Sequence, residues 1–116
     1  MKLRQIVTAL PLQVSAGQGG LDAEVTGGYA ADLLSCVMAG ARAGDLWVTL
    51  QGHLNTVAVA SLNGLAGIVV TEGKPVAAEA LEKANEENIP ILTTCLNTFE
   101  VVGRLWGLLQ DEVRRQ

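Results

Sequence analysis

Several polar side chains fall directly after apolar runs in this sequence, and that placement gives them chemical meaning. Gln51, His53 and Asn55 follow the run 46–50, Thr71 closes the run 66–71, and Thr93 and Thr94 close the run 90–94. Hydroxyls, amides and an imidazole are the groups that hold a phosphate or a polar small molecule. They do so best beside helix starts, where backbone N–H groups lack partners. Thr26-Gly27-Gly28 supplies another hydroxyl and two glycines. Such glycines permit positive φ or close backbone approach, a need that is structural as often as phosphate-binding. His53 is the only histidine, and histidine titrates near neutrality. A catalytic base also needs an orienting carboxylate and a nucleophile. No motif provides either, so His53 reads as a ligand contact.

Phosphoryl transfer fails on spacing. A P-loop has four residues between its glycines, followed by Lys and Ser or Thr. Here five residues separate Gly67 from Gly73, and Lys74 is followed by Pro75. The Gly17–Gly20 cluster runs into Leu21-Asp22, with no lysine. Glu72 is the one acid at an expected strand end, too few for magnesium-dependent transfer. Cys36 and Cys95 lie far apart, in no metal-ligand spacing. Each sits in an apolar stretch, where a free cysteine is expected to be buried. No metal is expected, and no cofactor is named by the sequence.

The elements that position these groups follow from the apolar pattern. Of 116 residues, 49% are hydrophobic and 17% charged, a globular composition of single-domain length. Leu3, Ile6, Val7 and Leu10 recur at helical spacing until Pro11. Residues 12–16 and 24–29 read as extended, separated by a glycine loop, and a helix through Leu33, Leu34, Val37 and Met38 follows. Strands are expected over 46–50, 66–71 and 90–94, with helices over 55–62 and 76–88 between them. A last helix is capped at Asn97 or Thr98. Ile68–Val70 and Ile91-Leu92 are apolar without alternation, as in a parallel sheet buried on both faces. The expected fold is therefore α/β, with a mostly parallel sheet and helices on both faces.

The segment 21–29 (LDAEVTGGY), with Asp32-Leu33-Leu34-Ser35, Gly44-Asp45-Leu46-Trp47-Val48-Thr49, Gln51-Gly52-His53-Leu54-Asn55 and the Ile91-Leu92-Thr93-Thr94 strand, resembles the DRTGG domain. The resemblance covers nearly the whole chain, implying a single domain over residues 1–116. It departs at Ala23, where the family pattern has arginine, so any anion contact made by that arginine has no counterpart here. Such domains resemble the N-terminal domain of HPr kinase/phosphorylase and occur beside CBS domains in certain pyrophosphatases. The resemblance implies a regulatory role and no general activity.

The net charge is −4 and the eight basic residues are scattered, with only Arg114-Arg115 adjacent. Nucleic-acid binders carry a basic patch, so that partner class is excluded. No run is long and apolar enough to span a membrane. Residues 1–10 lack the pattern of a signal peptide, and the expected compartment is the cytoplasm. The last helix carries Val101, Val102, Leu105, Trp106, Leu108 and Leu109, more apolar surface than one core seam needs. That surplus predicts a homodimer.

The leading expectation is a non-catalytic module that binds a small polar or nucleotide-like ligand at the strand carboxyl ends. Its contacts would be drawn from Thr26, Gly27, Gly28, Gln51, His53, Asn55, Thr71, Thr93 and Thr94. His53, Asn55, Thr71 and Thr93 are expected in one solvent-connected pocket. The rivals are an interaction adaptor working through the last helix, and a small enzyme using His53.

Overall fold

The computed structural model describes residues 1–115. Five helices and five strands follow in the order α1 (Leu3–Ala9), β1 (Gln13–Ala16), β2 (Gly27–Ala30), α2 (Leu34–Gly40), β3 (Asp45–Thr49), α3 (Leu54–Asn63), β4 (Gly67–Val70), α4 (Ala78–Glu87), β5 (Ile91–Thr93) and α5 (Thr98–Arg114). The expected elements are all present, with ends shifted by up to three residues in either direction. The glycine loop after β1 tightens into a 3-10 turn at Gln18–Gly20. The extended piece expected from residue 24 becomes ladder-paired only at Gly27.

The strands form one sheet in the order β1-β5-β4-β3-β2. β2, β3, β4 and β5 run parallel, and β1 joins β5 antiparallel with a bulge between Val14 and Ala16. The sequence dictates this layering. Successive strand residues point to opposite faces. Leu46 and Val48 therefore join one core with α1 and α5, while Trp47 joins the other with α2, α3 and α4. All five residues of β3 are buried, as a strand covered on both faces requires.

Helix ends follow their local chemistry. The Asn97 side chain accepts a hydrogen bond from the Glu100 N–H at 2.8 Å, which fixes the start of α5. Gly64 and Asn88 end α3 and α4 in the left-handed conformation. On the surface, the Arg4 Nε donates to Asp22 at 3.1 Å. That hydrogen bond first, and the Arg4 charge second, hold the Asp22 carboxyl below the usual carboxylate range. A lowered carboxylate pKa favours the fold above the ordinary aspartate value and loses that contribution as pH falls through the lowered one. Arg4→Ala is expected to move the Asp22 titration midpoint upward by NMR, with little change in stability because the pair is exposed.

Candidate functional site

Because β2 through β5 are parallel, their carboxyl ends share one edge, where α/β folds place ligands. Two loops meet there. The turn from β3 to α3 carries Gln51, Gly52 and His53, and the turn from β4 to α4 carries Lys74 and Pro75. The Ala77 N–H donates to the Gly52 carbonyl at 2.8 Å, tying the loops together. Between them lies an open cleft of about 370 Å³, lined by Leu50, Gln51, Gly52, His53, Lys74, Pro75, Val76 and Ala77.

The charged groups lining this cleft are basic, while the Asp32 carboxylate is engaged by the Leu50 N–H and Glu79 stands in the first turn of α4. The cleft is lined by a lysine and a histidine and by no carboxylate. The helices α3 and α4 begin at its wall, with His53 and Ala77 as N-caps, and neither cap offers a side-chain acceptor to the first turn. First-turn N–H groups and the positive ends of two helix dipoles therefore face the same region. The arrangement can hold an anionic group. Nothing in the lining supplies a nucleophile with a paired base.

The structure divides the nine expected contacts. Gln51 and His53 line the cleft, although the Gln51 amide donates to the Asp32 carbonyl at 2.6 Å. Asn55 is exposed on α3, outside the lining. Thr71 corrects the expected shared pocket, because it is fully buried. Its hydroxyl pairs with that of Thr98 at 2.7 Å. Thr93 pairs with the Ser15 hydroxyl at 2.9 Å, and the Thr94 hydroxyl accepts from the Leu96 N–H at 3.1 Å. The strand-end threonine hydroxyls are thus engaged with α5, with β1 and with the turn after β5, and none of them lines the cleft with Gln51 and His53.

Thr26, Gly27 and Gly28 lie at the amino end of β2, the opposite end of the sheet. They line a second cavity of about 420 Å³ between β2 and α5, together with Val48, Val102, Leu105, Trp106, Leu109 and others. The cavity exists because Gly28 and Ala30 place almost no side chain beneath α5. A Cβ on Gly28 would lie 3.1 Å from Leu105 Cδ2. The apolar surplus of α5 has its explanation here. Val101 and Leu105 enter the core, Leu108 and Leu109 are half-buried, and Val102 and Trp106 stay exposed beside the groove.

Sequence reasoning missed two groups. Lys74 follows an expected strand end in the polar run 71–74 but is not among the nine expected contacts; its value comes from a turn in which Glu72 (φ 60°) and Gly73 (φ 65°) are both left-handed. Asp32 corrects the reading of Glu72 as the one acid at a strand end. Its carboxylate accepts from the Thr49 hydroxyl at 2.9 Å and the Leu50 N–H at 2.8 Å. The expected burial of the cysteines is also corrected, since Cys36 and Cys95 are both exposed. Cys36 sits one position before the inward-facing Val37 of α2, and Cys95 lies past the end of β5.

Residues 30–107 match the family model of the DRTGG domain. No curated protein matches the chain. One solved structure similar to it is the crystal structure of the CBS and DRTGG domains of the regulatory region of Clostridium perfringens pyrophosphatase, complexed with the activator diadenosine tetraphosphate. The likeness has a TM-score of 0.67 at 17% identity, over 89% of this chain and 46% of that one. At that identity the shared property is the fold. The chain spans about half the length of that regulatory region.

Proposed function

This chain belongs to the DRTGG domain family, and from that premise we propose that it is a non-catalytic regulatory module sensing a small, anionic, nucleotide-like ligand at the strand carboxyl ends. The observation that carries the reading is the cleft whose lining brings together Lys74, His53 and two helix starts and includes no carboxylate. Glu79 stands in the first turn of α4, and Asp32 is engaged by the Thr49 hydroxyl and the Leu50 N–H. The nucleotide bound by the regulatory region of similar fold supports the choice of ligand class. Among the described residues there is no group of three metal-ligating side chains, and no helix is long and apolar enough to cross a membrane. In the same reading the module works as a homodimer, with α5 supplying contact surface.

The test is a melting screen with ATP, diadenosine tetraphosphate and inorganic pyrophosphate. A ligand that binds only the folded state, at a hundred times its Kd, adds about 2.7 kcal/mol. In a domain of this size that is a rise of several degrees in Tm. His53→Ala and Lys74→Ala are expected to abolish the rise while leaving the unliganded Tm nearly unchanged. The opposite pattern, with unliganded stability down by more than about 1 kcal/mol and the ligand shift intact, would make His53 a structural residue. ATP turnover stays at background; turnover that disappears in Lys74→Ala would overturn the non-catalytic reading.

A further inference from the structure

The strand order leaves β2 at one edge of the sheet. In a parallel ladder, alternate residues turn their backbone groups toward the neighbouring strand. The Ala31 N–H donates to the Val48 carbonyl at 3.2 Å, and Tyr29 is in register with Trp47. Residues 27, 29 and 31 therefore face β3, and Gly28 and Ala30 turn their N–H and C=O groups outward. Among the described residues, no intramolecular partner meets them.

Natural sheet edges are guarded by charge, proline, a bulge or a covering segment. At the other edge, β1 carries its bulge. The start of the chain covers the stretch before β2, where Lys2 bridges Glu24 and the Val25 N–H donates to the Met1 carbonyl at 2.8 Å. That cover ends at Val25. The run Gly27-Gly28-Tyr29-Ala30 has no charge and no proline. Beside it lies the groove walled by Val102, Trp106, Leu109 and Val113, with Trp106 65% exposed. Those four residues are spaced by four, three and four positions along α5, the repeat that packs against a partner.

We propose that one occupant fills both edge and groove: a second copy of this chain, with β2 pairing antiparallel to its own counterpart across a two-fold axis at Tyr29. The outward groups at 28 and 30 lie symmetrically about 29. Gly28 of each copy thus exchanges both backbone hydrogen bonds with Ala30 of the other, giving one continuous sheet. This self-complementarity is what an isologous contact demands, and the apolar groove beside the edge is doubled by the same two-fold. The same operation sets the two grooves side by side and covers both Trp106 rings. With Trp106 65% exposed, covering it adds up to about two-thirds of the roughly 150–250 Å² that a fully buried aromatic side chain represents. With Val102, Val113 and a strand edge, the contact moves toward the ~800 Å² per partner of a stable interface.

The inference rests on the homodimer reading, and the experiment separates the two. Ala30→Pro removes only an N–H that points away from β3, so an edge strand accepts it. The native chain is expected to sediment as a dimer at high micromolar concentration. Ala30→Pro is expected to keep the circular dichroism of the native chain and weaken dimerisation by about a hundredfold or more. In a Cys36→Ser, Cys95→Ser background, Tyr29→Cys should oxidise to a covalent dimer, because paired residues on the axis bring their Cα atoms to about 4.5 Å. A dimer that survives Ala30→Pro and fails to cross-link at 29 overturns the strand pairing and leaves the homodimer standing. A native chain that stays monomeric overturns both. If Ala30→Pro unfolds, the cross-link decides.

Discussion

Replacing Trp47 by Ala is expected to lower unfolding free energy by about 3–5 kcal/mol, read from the urea midpoint at constant m. Trp47 sits in the middle of β3, fully buried, at the centre of the core shared with Val37, Val57, Ile68 and Ala80. Truncation removes the largest side chain of that core, and the surrounding helices cannot collapse into the void without breaking their contact with the sheet. It also strips the Ala31 carbonyl of the indole N–H that donates to it at 2.8 Å. Ala31 is only half-buried, so water can take the place of the indole and the added loss falls below the ~1–3 kcal/mol of a sealed acceptor. Domains are stable by only ~5–15 kcal/mol, so the variant loses a large share of its margin. Trp47→Phe keeps most of the bulk and loses only the hydrogen bond, and is expected to fall well short of the alanine variant. A loss below about 1 kcal/mol for Trp47→Ala would contradict the two-sided burial of β3.

Gly52→Ala is expected to disable the cleft itself. An added Cβ would overlap the Pro75 carbonyl oxygen and lie 2.8 Å from Val76 Cα, and both neighbours are backbone. Neither can rotate aside as a side-chain tip would. The two loops must separate, and the bond from the Ala77 N–H to the Gly52 carbonyl stretches with them. Overpacking of this kind costs about 1–3 kcal/mol. Because Lys74 lies on one loop and His53 on the other, their convergence is lost at the same time. The expected readout is a lower Tm together with no ligand-induced rise. A variant that binds pyrophosphate as the native chain does would show that the two loops do not act as one site.

The elements were legible because each rests on a local rule. Pro11 stops α1, the unalternated Ile68–Val70 run marks a strand buried twice, and Asn97 caps α5 through its own side chain. The site was legible only in part, because side-chain direction is a tertiary property. Thr71 looks like a strand-end hydroxyl in the sequence, yet it is turned inward to Thr98, which is 27 residues away. Lys74 gains meaning from the left-handed turn that delivers it, and no residue type announces that turn at Glu72. The groove was hidden for another reason. Its floor is left open by the minimal side chains of Gly28 and Ala30, and its wall is a helix that begins some seventy residues later. The missing ligand-facing role of Asn55 follows from one helical step, which carries it past the cleft onto the open face of α3.

The two tryptophans occupy opposite extremes of solvent access, with Trp47 sealed inside the sheet and Trp106 beside the groove. Indole emission moves to longer wavelength in water and is quenched by dissolved iodide only where the ring can be reached. The chain therefore carries two intrinsic optical probes for two separate events. Loss of the fold shifts the emission of Trp47, whereas anything that covers α5 shields Trp106 and leaves Trp47 silent. Quenching titrations on a single unlabelled sample can then distinguish a molecule that has opened from one that has been capped.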